Sequence, residues 1–235
     1  MPQSFIVRSS FSYSLAKIKL ILRQVMKNIL IANSKGGCGK TTIATNLAGY
    51  FASQGNKTAL ADLDRQQSST QWLARRPSVL PDIYSYNAHN KQYLPKPEWV
   101  ITDSPAGFRD EKLSEAVKSA DFVIVPIQPS VFDMNATADF LNILEREKAV
   151  RKHKTFIALV GMRVNVRTHA TAALTEFMEY TGIPILTSLR NAQVYSTAAE
   201  LGVSLFDLRP SFVAQDLEQW APLIDLIKEV VADKR

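Results

Sequence analysis

The sequence predicts one α/β domain, built on a single doubly wound, mostly parallel sheet with helices on both faces. Short apolar runs alternate with segments of helical periodicity along most of the 235 residues, and a β-α-β-α order is typical of parallel sheets. The segment "FVIVP" at 122–126 is continuously apolar, as expected for a strand that is buried on both faces. Hydrophobic residues make up 46% of the chain and charged residues 21%, which favours a packed core over disorder.

Apolar runs and helical spacing place the elements in order along the chain. The predicted strands are 28–32, 58–61, 99–102, 122–126, 155–160 and 183–186. The predicted helices are 41–53, 68–74, 111–118, 135–150, 171–180, 193–201 and 217–231. The proline-containing segment 75–97 has no clear period and is interpreted as an irregular excursion between strands. No internal repeat and no second domain is predicted.

Cysteine content and hydropathy limit the class of protein. The only cysteine is Cys38, which excludes disulfides and a thiolate-held iron–sulfur cluster within one chain and fits a reducing cytosol. No run of 18 apolar residues occurs, so no transmembrane helix is predicted.

The net charge of +6 is concentrated at the N-terminus. Residues 1–25 contain four basic residues and no acid, which leaves 24 basic and 22 acidic residues and a net charge of +2 on the remainder. Any site for a polyanion must therefore be a local patch.

The main domain is predicted at 26–235, because "MKNILIANSKGG" supplies a methionine, a strand and a loop in succession. The extension 1–25 has apolar residues at helical spacing between basic ones, and three interpretations stay open for it. In the first interpretation, translation starts at Met26 and the extension is not part of the native protein. In the second, the extension is a basic amphipathic membrane anchor. In the third, it is an acid-free transit peptide.

A glycine-rich segment, "SKGGCGKTT" at 34–42, lies between a predicted strand and a predicted helix. Gly36, Gly37 and Gly39 allow backbone N–H groups to turn inward toward phosphate oxygens, and the following helix adds its N-terminal dipole. Lys40 would place its ammonium on the β- and γ-phosphates, and the Thr41 hydroxyl would bind Mg²⁺. The segment therefore predicts a phosphate-binding loop for a nucleoside triphosphate.

This segment resembles the deviant phosphate loop of the ParA/MinD family of P-loop ATPases, and the similarity extends from Met26 to the C-terminus. The resemblance implies ATP and Mg²⁺ as cofactors and implies that Lys35, the extra lysine, contacts the nucleotide of the other subunit in a dimer. Charge supplied by a partner couples hydrolysis to assembly, as an arginine finger does. The implied nucleotide-binding residues are Lys35, Gly36, Gly37, Cys38, Gly39, Lys40, Thr41, Thr42 and Met162.

Two further segments resemble the family's carboxylate motifs. In "TALADLDRQQSSTQW", Asp64 matches the carboxylate that orients the attacking water and Asp62 its companion near Mg²⁺, while Arg65 replaces the family's proline. In "WVITDSPAG", a β-forming run delivers Asp103 to the carboxyl end of the sheet, where it can hold a Mg²⁺-bound water. The predicted catalytic residues are Lys35, Lys40 and Asp64, and the predicted metal-site residues are Thr41, Asp62 and Asp103.

Two other segments match the family around the nucleotide. The segment "ADFVIVPIQPSVFDMNA" resembles the family, which implies that Pro126, Gln128, Pro129 and Asp133 lie in a loop next to the nucleotide. "MRVNVRT" departs from the family pattern, because Met162 stands where an asparagine often reads the adenine. Methionine packs on a purine but offers no amide, so ATP specificity rests on the family resemblance.

The resemblance implies a partitioning ATPase of the small type, since only 25 residues precede the fold. Its expected partners are a second copy in the ATP state, nonspecific DNA and a ParB-like or other cargo adaptor, and its expected location is the cytoplasm, on the nucleoid. Arg190 and Arg209 are the predicted DNA contacts, with structural ion pairs as the alternative. The basic segment "EREKAVRKHK" contains acids and is interpreted as a solvated helix end.

Other functions of the superfamily are weighed against this one. The cargo can be a plasmid, a chromosome or a cytoplasmic body such as a carboxysome or a chemoreceptor cluster. A MinD-like membrane ATPase needs a basic amphipathic C-terminal helix, whereas the polar positions of 217–231 include several acids, so no stable membrane association is expected. A metabolic phosphoryl-transfer or ligase enzyme would need a substrate motif, which is not found.

Overall fold

The computed structural model describes residues 26–86, 96–165, 168–183 and 185–233. Their strands form one seven-stranded sheet with the order β3-β2-β4-β1-β5-β6-β7, in which every neighbouring pair is parallel. The predicted fold class is confirmed. The strands are β1 Lys27–Ile31, β2 Thr58–Asp62, β3 Ile83–Ser85, β4 Trp99–Asp103, β5 Phe122–Ile127, β6 Phe156–Val164 and β7 Ile185–Arg190.

Except between β3 and β4, where residues 87–95 are not described, helices connect the successive strands, as is usual for parallel pairing. They are α1 Lys40–Ser53, α2 Ser68–Ala74, α3 Asp110–Ser119, α4 Val131–Arg146, α5 Lys148–Arg151, α6 His169–Tyr180, α7 Gln193–Glu200 and α8 Pro210–Asp233. A 3₁₀-helix, Leu205–Asp207, precedes α8. None of the helices in these described ranges is long and apolar enough to cross a membrane.

Alternation along the strands divides the core between the two faces of the sheet. In β1, Ile29 and Ile31 pack with α1 and α8, whereas Leu30 packs with α3, α4 and α6. Apolar residues of α8 form a stripe that packs in the core, because Trp220 and Ile227 are buried in the first of these clusters.

The strand order places the beginning of α1 at the centre of the sheet. β1 lies between β4 and β5, so the chain runs toward one edge through β2 and β3 and toward the other through β5, β6 and β7. Ligands of open α/β sheets bind outside the carboxyl ends of the strands at such a switch point. The glycine-rich loop follows β1 at this point.

Several predicted boundaries are wrong, mainly where pairing across the sheet overrides local pattern. The excursion 75–97 contains β3, which pairs with β2 through Thr58 and Ile83. Helix 135–150 begins earlier and is broken at Glu147, whose ψ of 131° is extended. Strand 155–160 continues to Val164, strand 183–186 is replaced by β7, and the last helix begins at Pro210. The extension 1–25 lies outside the described residues.

The C-terminal end of α2 is fixed to the segment before α8 by buried polar contacts. Arg76 and Asp207 form an ion pair, with Nη1 2.9 Å from Oδ2 and Nη2 3.0 Å from Oδ1. Asp207 also accepts hydrogen bonds from the Ser204 backbone N–H and hydroxyl. Within the helix itself, the buried Trp72 donates from Nε1 to the Val203 carbonyl. These contacts hold α2 against the first core cluster.

We expect Arg76→Met to lower the free energy of unfolding by about 3–5 kcal/mol, because it leaves the buried Asp207 carboxylate without its counter-charge. Urea denaturation measures the change. Arg75→Met is the control, since Arg75 is exposed and its guanidinium reaches only the Ala199 carbonyl. Equal losses in the two variants would contradict a structural role for the buried pair.

Candidate nucleotide-binding site

The glycine-rich loop leads directly into α1, whose first residue is Lys40. The preceding residue, Gly39, has a φ of 105° and gives the helix no side-chain cap, so the first N–H groups of α1 are open to a ligand. A Cβ on Gly39 would also lie 2.6 Å from Met162 Cε. The positive φ therefore favours glycine here, and a side chain at this position would also displace Met162. The helix N-terminus is suited to bind an anion.

The Lys40 ammonium lies inside the loop. Its side chain is only 7% exposed, and Nζ donates to the Lys35 carbonyl over 2.7 Å and lies 3.9 Å from Cys38 Sγ. Within the described ranges no carboxylate forms an ion pair with it. Burial raises the pKa of the Cys38 thiol, so this neighbour stays neutral. The positive charge is thus left for phosphate.

Lys35 is half-buried at the mouth of the loop. Its backbone N–H donates to Asn33 Oδ1 over 3.2 Å and its carbonyl accepts from Lys40, so its backbone is held from both sides. No hydrogen bond or ion pair joins its ammonium to any described residue. Its backbone is fixed while its charge has no partner among the described residues of the same subunit.

The segment after β5 supports the loop from the other side. The buried Asn33 donates to the Pro126 carbonyl over 2.8 Å and to Thr137 Oγ1 over 2.9 Å. Gln128 Nε2 donates to the Gly37 carbonyl over 2.7 Å. Of the four residues expected in a loop here, Gln128 and Pro129 lie between β5 and α4. Pro126 is in β5 and Asp133 is in α4, because the strand and the helix extend further than their sequence patterns indicate. A contact with the nucleotide stays a prediction. Asn33 was missed by sequence reasoning, although a polar residue at the end of an apolar strand could have signalled it.

Asp103 ends β4 beside the first turn of α1. The Thr41 hydroxyl donates to Asp103 Oδ2 over 2.8 Å, and the carboxylate is 1% exposed. Burial raises the pKa of Asp103 to about 7; the Thr41 hydrogen bond opposes this, and the negative charge of Asp62 adds to it. The pair joins the phosphate loop to the sheet, and the role of both residues in a metal site stays a prediction.

Asp62 and Asp64 follow β2 on the next strand. The β2–β4 register sets Asp62 level with Asp103. Asp62 accepts from the backbone N–H groups of Asp64, over 3.0 Å, and Thr70, over 2.9 Å. Asp64 is half-buried and accepts from the Gln66 N–H over 3.0 Å. Asp62 therefore fixes the turn that carries Asp64.

The donor set fits a hydrated Mg²⁺ ion. Asp103 Oδ1 is buried without a hydrogen-bond partner among the described residues, and the Thr41 hydroxyl lies against the same carboxylate. The described part of the chain contains no group of three or more His, Cys, Asp or Glu side chains that could hold a metal. Mg²⁺ would accordingly take ligands from Thr41, phosphate and water, a set that it prefers in nucleotide sites.

The predicted adenine contact and the two predicted DNA contacts differ in solvent exposure. Met162 is in β6 and is buried against Gly39, so its observed contact is with the loop, and a contact with a base stays a prediction. Arg190 ends β7 and forms a bidentate ion pair with buried Asp216 over 2.8 Å. Arg209 is exposed between the 3₁₀-helix and α8. Among the described residues, no ion pair joins either arginine to the phosphate loop.

Comparison with known proteins agrees with this geometry. A family model described as the CobQ/CobB/MinD/ParA nucleotide binding domain matches residues 29–205. The chain belongs to this family. Maintenance of carboxysome distribution protein A of Halothiobacillus neapolitanus is 31% identical over 189 residues, which cover 77% of this chain and 87% of that protein. Protein ParA of Rhizobium radiobacter is 26% identical over 194 residues, covering 78% and 87%.

A solved structure shares the fold. The ATP complex of Cyanothece McdA matches with a TM-score of 0.65 and 19% identity, over 88% of this chain and 96% of that one. The family is one of P-loop NTPases, and the relatives that this chain resembles include partitioning and positioning proteins, among them ParA, the chromosome-partitioning ATPase Soj and the carboxysome distribution protein.

The raised pKa of Asp103 predicts a pH dependence of stability. Between about pH 4 and pH 7 the folded protein retains a proton that the unfolded chain releases, so the free energy of unfolding falls as pH rises through this window. The slope from this one group approaches about 1.4 kcal/mol per pH unit. Asp103→Asn keeps the shape of the side chain and removes its titration. The difference in free energy of unfolding between wild type and variant should therefore grow as pH rises from about 4 to 7. Urea denaturation without nucleotide or metal measures it, and a constant difference would contradict the prediction.

Proposed function

We propose that this protein is an ATPase that forms a dimer around two ATP molecules, binds DNA without sequence preference and is stimulated by a cargo-bound adaptor, acting in plasmid or chromosome segregation. The observation that carries the proposal is the pair of lysines in one loop. Lys40 directs its ammonium into the phosphate loop, whereas the Lys35 ammonium has no partner among the described residues. A second subunit that covers the loop would bring a phosphate to Lys35.

The residues of one subunit include groups that can bind the phosphates, hold Mg²⁺ and orient the attacking water for phosphoryl transfer. Backbone N–H groups of the loop and of α1 bind the phosphates, and Lys40 balances the charge that develops on them. Thr41 would bind Mg²⁺ directly and Asp62 and Asp103 would hold its water ligands; the ion neutralises phosphate charge when it is bound. Asp64, on the turn fixed by Asp62, would orient the attacking water.

Exposed apolar side chains near the loop support a dimer. At the beginning of α4, Val131 is 63% exposed and Phe132 is 78% exposed, and Leu63 between the two carboxylates is 46% exposed. Val131 and Phe132 come shortly after Gln128, which contacts the loop. Large apolar groups around a polar site are typical of surfaces that another protein covers, and a second copy would bury them.

The two lysines should separate binding from assembly. We expect Lys40→Ala to lose ATP binding, because it removes the phosphate charge inside the loop. Lys35→Ala should keep ATP binding but lose ATP-driven dimerisation and turnover. Sedimentation and nucleotide binding with a slowly hydrolysed ATP analogue measure the two effects. Lys118→Ala, an exposed change on α3, is the control. Normal dimerisation and turnover of Lys35→Ala would contradict its role across the interface.

DNA binding is assigned differently to the two arginines. Arg209 is exposed and makes no side-chain hydrogen bond or ion pair to the described residues, so its charge is open to a phosphate. The Arg190 side chain is 37% exposed but paired with fully buried Asp216. Its ion pair is the structural alternative raised from sequence, and any DNA contact from Arg190 would use the exposed edge of a guanidinium that is already held. Substitution of Arg209 is therefore the more direct test of DNA binding, because it breaks no ion pair among the described residues.

We expect Arg209→Ala to weaken ATP-dependent binding of a random duplex and to flatten its salt dependence. The slope of log K against log salt should fall by roughly 0.9 for each phosphate that is no longer neutralised, and a dimer carries this arginine twice. Fluorescence anisotropy across a salt series, with ATP and with ADP, measures it. Arg151→Ala, an exposed change in the other basic segment, is the control. An unchanged slope for Arg209→Ala, or an effect confined to Arg151→Ala, would place the DNA surface elsewhere.

The cargo has a second candidate, a cytoplasmic body such as a carboxysome. The observation in its favour is the 31% identity to a carboxysome distribution protein over most of both chains. Neighbouring genes distinguish the cases, since a centromere-binding protein indicates DNA cargo and shell proteins indicate a cytoplasmic body. A MinD-like membrane role is disfavoured, because the apolar stripe of α8 is buried in the core rather than available to lipid. The proposed location is the cytoplasm, on the nucleoid.

A further inference from the structure

Three buried side-chain atoms at the carboxyl end of β4 and shortly after β2 lack a hydrogen-bond partner among the described residues: Ser69 Oγ, Asp103 Oδ1 and Ser104 Oγ. The side chains of Ser69 and Asp103 are both buried. Buried polar groups are nearly always paired in folded proteins, and an unpaired one is costly. A polar partner is therefore expected to reach this place in a functional state of the protein.

Ser69 and Asp103 belong to the same small region. Ser69 is the second residue of α2, and the next residue, Thr70, donates its N–H to Asp62. Asp62 is level with Asp103 in the β2–β4 register. The Ser69 hydroxyl is close enough to the Asp103 carboxylate to lower its pKa, although the two groups do not have hydrogen-bond geometry. The first turn of α2 thus faces the metal-site carboxylates.

The hydroxyl is poorly explained as a structural group. Its own helix begins after Gln67, which has a left-handed φ of 52° and gives no side-chain cap. The N–H of Thr70 is satisfied by Asp62, not by Ser69. A buried serine that caps nothing and pairs with no described residue costs stability unless a ligand completes it.

We propose that Ser69 is a positioning residue of the metal site, whose hydroxyl pairs with the hydration shell that Mg²⁺ brings against Asp103. The inference rests on the proposed Mg·ATP site and adds a residue to it. Helix α2 is held at its other end by Trp72 and by the Arg76–Asp207 ion pair. Cation binding would therefore add a contact at the N-terminal end of α2, where Asp62 already accepts from the backbone N–H groups of Thr70 and Asp64.

The experiment compares Ser69→Ala with Ser68→Ala, a matched change at the exposed neighbouring position. The affinity for a slowly hydrolysed ATP analogue is measured with Mg²⁺ and with EDTA, and thermal unfolding is measured without ligands. Ser69→Ala should bind the analogue as wild type does in EDTA, but should lose about three- to tenfold in affinity with Mg²⁺, the effect of one hydrogen bond. Its unfolding temperature without ligands should be unchanged or higher, because an unpaired hydroxyl has been removed.

Each contrary result has a definite meaning. If Mg²⁺ increases the affinity of Ser69→Ala for the analogue by the same factor as that of wild type, the inference is overturned and the proposed function is unaffected. A lower unfolding temperature with an equal Mg²⁺ effect assigns Ser69 a purely structural role. Wild-type protein that binds the analogue equally in Mg²⁺ and EDTA, or not at all, overturns both. If Ser69→Ala does not fold, Ser69→Cys keeps most of the volume with a weaker hydrogen-bonding group and should lose Mg²⁺-dependent affinity in the same direction.

Discussion

The parallel pairing of β1, β4 and β2 is the constraint on which the site depends. It sets Ile31 level with Asp103 and Asp103 level with Asp62, so that the carboxyl ends of the three strands lie at the same level in the sheet. The phosphate loop begins from the first of these ends and both carboxylates lie at the others. A shift by one residue in either pairing would turn the carboxylate to the opposite face and separate Asp103 from the Thr41 hydroxyl that donates to it.

Polar groups around the loop are divided into those that are satisfied and those that are not. Asn33, Gln128 and Asp62 use their side chains to hold backbone, and this keeps the loop and the Asp64 turn in place. Lys40, Asp103 Oδ1 and Ser69 Oγ retain capacity for a ligand. A preorganised site of this kind needs little rearrangement when charge develops during reaction.

The distinction between paired and unpaired polar groups also separates Arg190 and Arg76 from Arg209, and the C-terminal end of α2 from its N-terminal end. Arg190 and Arg76 are paired with buried carboxylates, so their removal would leave a buried charge uncompensated. Arg209 is exposed, so its removal tests binding rather than folding. At α2, contacts of Trp72 and Arg76 hold the C-terminal end, while the N-terminal end carries the Ser69 hydroxyl, which makes no hydrogen bond to the described residues.

The sequence by itself determined the fold class, the phosphate loop and the carboxylates, because glycine spacing, continuous apolar strands and motifs are local patterns. It did not determine β3, the length of β6 or the position of Arg190 at a strand end, since these depend on pairing with strands distant in the chain. Only the tertiary structure brought Asn33 to Thr137, Gln128 to Gly37 and Ser69 toward Asp103, across about 30 to 100 residues of sequence. A single serine or asparagine carries no periodic signal, and its role is set by which groups folding leaves beside it without a partner.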